Sequence, residues 1–268
     1  MGDTMTQNAS HPDTSHVLHE REGGIVKLTL NRGEKFNPLS EEMLRVLQTE
    51  LDAIAKDATV RVVILAASGK AFCAGHDLKQ MRANPSAAYY KKLFDQCSKM
   101  MLTIQQMPQP VIARVQGIAA AAGCQLVAMC DLAVASDEAK FAVSGINYGL
   151  FCSTPSVGLS RNMGRKQAME MLLTGEFIDA QAALERGLIN RVVPLHALDQ
   201  TISALTESIL AKPAVSIAMG KQLFYRQLEM GISAAYQLAG ETMACNMMDE
   251  AALEGVQAFI EKRSPTWR

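Results

Sequence analysis

A chain of 268 residues with 49% hydrophobic content is long enough for one substantial core, with or without a small appended unit. Its 26 basic residues stand against 27 acidic ones, and a net charge of -1 excludes the broad positive footprint of a nucleic-acid-binding protein. The six cysteines, Cys73, Cys97, Cys124, Cys130, Cys152 and Cys245, form no CxxC pair and mostly sit among apolar neighbours, which argues against a disulfide scaffold or a metal site.

No apolar run is long enough to span a bilayer, and the first residues lack the apolar core of a signal peptide, so a cytoplasmic location without membrane contact is expected. Residues 1–15 are polar and are expected to form a flexible tail. Val17 to Arg21 and Ile25 to Leu30 then read as strands around Glu22-Gly23-Gly24. A polar loop, Asn31 to Asn37, leads to Ser40, which caps a helix carrying Met43, Leu47, Leu51 and Ile54 on one face. Val60 to Ala66 is continuously apolar, as in a strand buried on both faces of a parallel or mixed sheet. A β-α-β unit is therefore expected by residue 66.

Ser68 to Leu78 is a loop rich in small residues, and Lys79 to Tyr90 is polar, broken by Asn84-Pro85, and expected to be mobile. Tyr89 to Met107 is a long helix with Leu93, Cys97, Met100, Met101 and Ile104 inward, ended by Pro108 and Pro110. The strand Val111 to Val115 feeds Gln116 to Asp131, QGIAAAAGCQLVAMCD, where small residues precede an apolar helix. The first amides of such a helix are unpaired donors, and small residues let a ligand approach them; an oxygen gaining negative charge fits there. Leu132 to Ala135 is a further strand, Phe141 to Thr154 is irregular, and Pro155 to Met163 and Arg165 to Leu173 are helical. Asp179 caps a short helix, Ala180 to Arg186, that Gly187 ends before the strand Ile189 to Val193. Beyond Pro194 the pattern is helical, with breaks at Pro213, Gly231 and Pro265. The expected organisation is a tail (1–15), an α/β core (16–194) and a helical C-terminal region (195–268).

Four blocks in order, AFCAGHDL, GIAAAAGCQLVAMCDLAVAS, LTGEFIDAQAALERGLINRVV and FIEKRSPTW, make the chain resemble the crotonase (enoyl-CoA hydratase/isomerase) superfamily. The resemblance implies a spiral of β-β-α repeats, a helical C-terminal region that trimerises, and a homotrimer or dimer of trimers. It implies no bound cofactor and no metal; coenzyme A arrives as part of a thioester substrate. The thioester carbonyl would be held by the backbone amides of His76 and Ala122, an oxyanion hole in which each donor is worth about 3 kcal/mol of barrier. Substrate contacts implied by position fall on Lys35, Ala74, Asp77, Leu78, Gly123, Ser144 and Tyr148, with Phe259 and Lys262 reaching a neighbouring subunit's CoA.

The chain departs from the hydratase pattern where acid and base should stand. Gln125 and Gly145 occupy the positions of the two catalytic glutamates, and neither titrates, so two-carboxylate hydration is not expected. The readings left are an acyl-CoA enzyme with an unconventional or substrate-borne acid and base, a decarboxylase of malonyl-type thioesters, and a non-catalytic acyl-CoA binder. Gln125 orients a water, binds a polar acyl group or only caps a local network. The His76 ring is a candidate acid or base, Asp77 and Asp131 suit turns and caps, and Asn147 and Ser153 are further candidates for the acyl pocket. Arg32 and Lys79 join Lys35 as candidates for the nucleotide phosphates. Met81 and Met101 are candidates for the wall of an acyl tunnel, and Cys124, Cys130 and Cys152 suit buried hydrophobes better than nucleophiles.

Overall fold

The computed structural model describes residues 15–267, so the expected tail, apart from Ser15, lies outside the described residues. Strands β1 (Val17–Glu22) and β2 (Ile25–Leu30) form an antiparallel hairpin whose turn holds Gly23 at φ +55°. Helix α1 (Glu41–Ile54) starts where the Ser40 hydroxyl accepts the Met43 N–H, and strand β3 (Val62–Ala67) returns parallel to β2. The expected β-α-β unit is present.

From β3 onward the chain alternates between two sheets. Strands β3, β5 (Val111–Val115) and β7 (Leu132–Ser136) lie in a large sheet. Strands β4 (Ala71–Cys73), β6 (Ile118–Ala120) and β8 (Lys140–Ala142) lie in a small one. Helices α2 (Leu78–Ala83) and α3 (Ala87–Gln106) follow β4, α4 (Ala122–Met129) follows β6, and α5 (Ser153–Asn162) and α6 (Arg165–Thr174) follow β8 after a short 3-10 turn. This is the β-β-α spiral. Strand β9 (Ile178–Asp179), helix α7 (Ala180–Glu185) and strand β10 (Arg191–Val193) complete the α/β part. The large sheet runs β1-β2-β3-β5-β7-β10, parallel except at β1; the small sheet runs β4-β6-β8-β9, parallel except at β9.

Burial explains the apolar runs. Val63, Leu65, Val111 and Ala113 face the main core with α1, α3 and α4, while Val62, Ile112 and Val134 face the opposite way, under Leu198 and Ile202 of α8 (Leu198–Leu210). Helices α9 (Ala214–Leu228), α10 (Ile232–Met247) and α11 (Glu250–Ile260) finish the chain. Among the described residues no single helix is long and apolar enough to cross a membrane.

Two expectations are corrected. Strands β4, β6 and β8 lie inside stretches expected to be loop or irregular; three residues are too few to show an alternation. Residues 79–90 are largely helical rather than an irregular mobile segment. The Asp77 carboxylate accepts the Lys79 and Gln80 amides to start α2, and the Ser86 hydroxyl accepts the Tyr89 amide to start α3.

Helix α9 is fastened to the core by a buried ion pair. The Lys221 ammonium donates to Ile104 O (2.8 Å), Gln109 O (2.8 Å) and Asp131 Oδ2 (2.6 Å), so each of its three protons has an acceptor. Asp131 also accepts the Val111 amide and the Tyr225 hydroxyl. Burial raises the Asp131 carboxyl and lowers the Lys221 ammonium from their ordinary values, so the charged state rests on these bonds. Replacing Lys221 with Met strands a buried carboxylate and is expected to cost about 3–5 kcal/mol in denaturant unfolding. Lys221→Met with Asp131→Asn is expected to cost less than the single change.

Candidate active site

Three neighbouring strands of the small sheet deliver the site. Strands β4, β6 and β8 are parallel, so their C-terminal ends open at one edge. There β4 gives way to Ala74-Gly75-His76-Asp77, β6 to Ala121 and α4, and β8 to the 3-10 turn Ser144–Tyr148. The Ala121 amide donates to Ala142 O, joining the second loop to the third.

The first two loops meet at backbone distance. Gly75, at φ +96°, has no room for a side chain: a Cβ there would lie 2.9 Å from the Ala121 Cβ and 3.4 Å from the Ala122 nitrogen. A Cβ at Gly123 would lie 2.1 Å from Cys73 O, so α4 rests directly on the end of β4. Among the described residues neither the His76 nor the Ala122 N–H donates to the chain. Ala122 is the first residue of α4, where amides have no partner in the helix. Ala121, before it, adopts φ 49° and ψ -119°, a conformation costing an alanine about 1–3 kcal/mol.

Lys35 is exposed on a 3-10 turn beside the first loop, since Phe36 O accepts the Ala74 amide and Leu39 bridges to His76. Ala74, Leu78 and Lys79 are exposed at the same mouth, whereas Asp77 is occupied as the cap of α2. Arg32 is engaged with Ser15 O, Asn31 O and the His16 ring. Ser144 is half-buried, Tyr148 is 75% exposed, and the Asn147 amide donates to Gly175 O. Ser153 opens α5, its hydroxyl turned to Phe151 O. Met101 belongs to the core and Met81 packs against it. Phe259 and Lys262 lie at the end of α11, and among the described residues no hydrogen bond or ion pair joins either side chain to the three loops.

The His76 ring is held beside α1 and α3. Its Nδ1 donates to Leu39 O (3.2 Å), and its ring meets that of Phe94 edge-on at 5.6 Å. The Nε2 is buried without a partner, and burial pushes the ring's pKa below its ordinary value, so the imidazole is neutral with a lone pair on Nε2. Burial raises the Cys124 thiol to about 12, and Cys130 and Cys152 are also raised, which leaves them protonated and unsuited to nucleophilic attack.

Gly145 is not an empty slot. Its amide meets Cys152 Sγ at 3.3 Å, and a Cβ would lie 2.5 Å from Leu150 O and 2.7 Å from that sulfur. The turn Ser144–Tyr148 and the segment after it leave no room for a side chain at this position. Two residues that fix the loops escape a motif reading. Asn37, fully buried at φ 51°, donates to Ser68 O and Ala71 O and accepts the Arg32 amide; Gln116 Nε2 reaches Ala67 O, Gly69 O and Ala71 O. The Asn-Pro step at Asn37-Pro38 was the available signal.

The model of the family described as enoyl-CoA hydratase/isomerase matches residues 20–268. A solved enoyl-CoA hydratase from Mycobacterium smegmatis is 63% identical with a TM-score of 0.93, over 94% of this chain and 98% of that one. The crystal structure of human enoyl-CoA hydratase domain-containing protein 3 is 42% identical with a TM-score of 0.91, over 94% of this chain and all (100%) of that one. Enoyl-CoA hydratase domain-containing protein 3, mitochondrial, from Xenopus laevis is 43% identical over 95% of this chain and 88% of its own length. The chain belongs to the enoyl-CoA hydratase/isomerase family. The expected cytoplasmic location is overturned by such relatives, which are named as mitochondrial. Cysteine usage separates oxidising from reducing surroundings and does not choose among reducing compartments.

Two outcomes follow from this geometry. Gln125→Glu with Gly145→Glu is expected to lower the melting temperature and to remain inactive on crotonyl-CoA, because the second side chain meets Leu150 O. The folded chain also binds the His76 proton more weakly than the unfolded chain, whose ordinary value is 6.5. That stability is fully present above pH 6.5 and is lost as pH falls through the lowered value. Unfolding curves at falling pH are expected to drop less steeply for His76→Gln.

Proposed function

We propose that the chain binds an acyl-CoA thioester, sets its carbonyl oxygen on the His76 and Ala122 amides, and serves acyl-CoA metabolism without two-carboxylate hydration. The observation that carries this is the pair of unengaged amides on abutting loops, with Gly75 stripped of a side chain between them. Such a pair favours the carbonyl oxygen most when electrons flow into it, so it lowers the barrier to an enolate. No carboxylate of these loops is free to move the second proton: Gln125 does not titrate, Gly145 has no side chain, and Asp77 caps α2. A reaction run here takes its proton from solvent or from the substrate. Loss of carbon dioxide from a malonyl-type thioester meets that condition: the C–C electrons enter the enolate, carbon dioxide leaves, and solvent protonates Cα.

A second reading, a non-catalytic acyl-CoA binder, is supported by the closure over Gly145. Calorimetry with butyryl-CoA and its thioether analogue S-butyl-CoA, which lacks the carbonyl, tests the shared claim. The thioester is expected to bind several-fold more tightly, and equal affinities would refute the amide site. Incubation with crotonyl-CoA and methylmalonyl-CoA then separates the readings: carboxylated substrate consumed alone supports the decarboxylase, and tight binding without product supports the binder. If turnover is found, Ala122→Pro, which removes one donor and puts the ring Cδ in its place, is expected to cost at least roughly 10²–10³ in rate.

We also propose a homotrimer or a dimer of trimers. Helix α10 has no buried residue, and Ile232, Tyr236, Met243 and Phe259 are each at least 70% exposed, an unusual apolar load for a solvated helical layer. In that assembly Phe259 and Lys262 reach a neighbour's CoA. Sedimentation equilibrium is expected to give a mass of three or six chains; a monomer would contradict this assembly.

A further inference from the structure

The direction of one proposed donor is set by a single peptide plane. The Gly75 carbonyl accepts the Leu39 amide at 2.8 Å, and Leu39 and His76 pair in parallel. The Gly75-His76 peptide is trans, so its carbonyl and its N–H point in opposite directions. With the carbonyl turned to Leu39, the His76 N–H points away from Leu39. Whatever holds this plane therefore aims the donor.

Gly75 itself offers little resistance to a turn of the plane. It has no Cβ and sits at φ +96°, and glycine passes between backbone conformations at low steric cost. Leu39 is the fixed partner, since it is fully buried in the core and the next residue, Ser40, caps α1. The imidazole supplies a second tie to Leu39. A carbonyl oxygen only accepts, so the 3.2 Å contact of Nδ1 with Leu39 O requires the proton on Nδ1. Phe94 meets the ring edge-on at 5.6 Å and Tyr90 stacks on Phe94 at 6.5 Å, so two aromatic residues of α3 back the imidazole.

Other polar side chains of the first two loops do not share this task. Gln125 is buried on α4 with its Oε1 unpartnered, and Asp77 caps α2; among the described residues only His76 ties its loop to another segment through a side chain. Its Nε2 is buried without a partner, so no substrate proton reaches the ring and an acid or base role is set aside. We infer that the His76 imidazole is a positioning residue, which clamps Leu39 O and keeps the Gly75-His76 peptide turned so that its N–H serves the thioester carbonyl. The inference rests on the thioester reading and gives the ring no contact with substrate. Without the clamp the loop has one tie fewer to Leu39, and the plane can turn about Gly75.

The test is calorimetry of the full chain with butyryl-CoA and S-butyl-CoA in the wild type, His76→Leu and His76→Asn. Leucine keeps bulk and loses the donor, whereas asparagine carries an N–H group at the same place along the side chain as Nδ1. The thioester-to-thioether affinity ratio is expected to fall toward one in His76→Leu and to stay near the wild-type value in His76→Asn. A residue that only stabilised the fold would weaken both ligands alike and leave the ratio. A wild-type ratio kept in His76→Leu, or lost as fully in His76→Asn, overturns this inference alone. A wild-type ratio of one overturns the thioester reading and this inference with it. Should His76→Leu fail to fold, long-range proton–nitrogen correlation spectra of the wild type decide, with the His76 ring identified by its absence from His76→Asn. The Nδ1–H tautomer is expected, and the Nε2–H tautomer, which cannot donate to Leu39 O from Nδ1, overturns the clamp.

Discussion

The site depends on one steric constraint, the contact of α4 with the end of β4. A Cβ at Gly123 would lie 2.1 Å from Cys73 O, and one at Gly117 would lie 2.0 Å from Lys70 O. Both distances are far inside van der Waals contact, so the second β-β-α turn can stack on the first only where these side chains are absent. The stacking sets the Gly75-His76 loop against Ala122, and among the described residues two amides there have no acceptor. Asn37 and Gln116 hold the same register from the other side by binding carbonyls of residues 67–71. The strain at Ala121 and the buried, unpartnered Oε1 of Gln125 are tolerated inside this braced frame.

Buried charge is concentrated past the C-terminal end of α4. Lys221, Asp131 and Tyr225 tie α9 beneath β5 and β7, with Asp131 at the end of α4 opposite Ala122. The buried ionic group stabilises the attachment of the C-terminal helices, while the site keeps a neutral histidine, a carboxamide and backbone N–H groups. Leu150 O and Cys152 Sγ leave no room for a side chain at Gly145.

Much of the frame was legible in the sequence because its signals are local. Ser40 and Asp179 cap helices as their hydroxyl and carboxylate chemistry requires, and the inward face of α3, Leu93 to Ile104, follows from helical spacing alone. The two-sided burial of β3 followed from an unbroken apolar run. The small sheet was invisible, since β4, β6 and β8 have three residues each and no period to detect. Likewise no residue type announces that Gly145 is sealed by Leu150 and Cys152, or that Gln125 lacks a partner; both are facts of long-range packing. The family pattern points to His76 and Ala122, and the structure brings their loops into contact; their role toward a carbonyl is the proposal made above.

The most direct test is a crystal structure of the chain with butyryl-CoA bound. The proposed site requires the thioester oxygen within hydrogen-bond distance of both the His76 and Ala122 nitrogens. A carbonyl bound elsewhere, or those amides turned away from it, would contradict it.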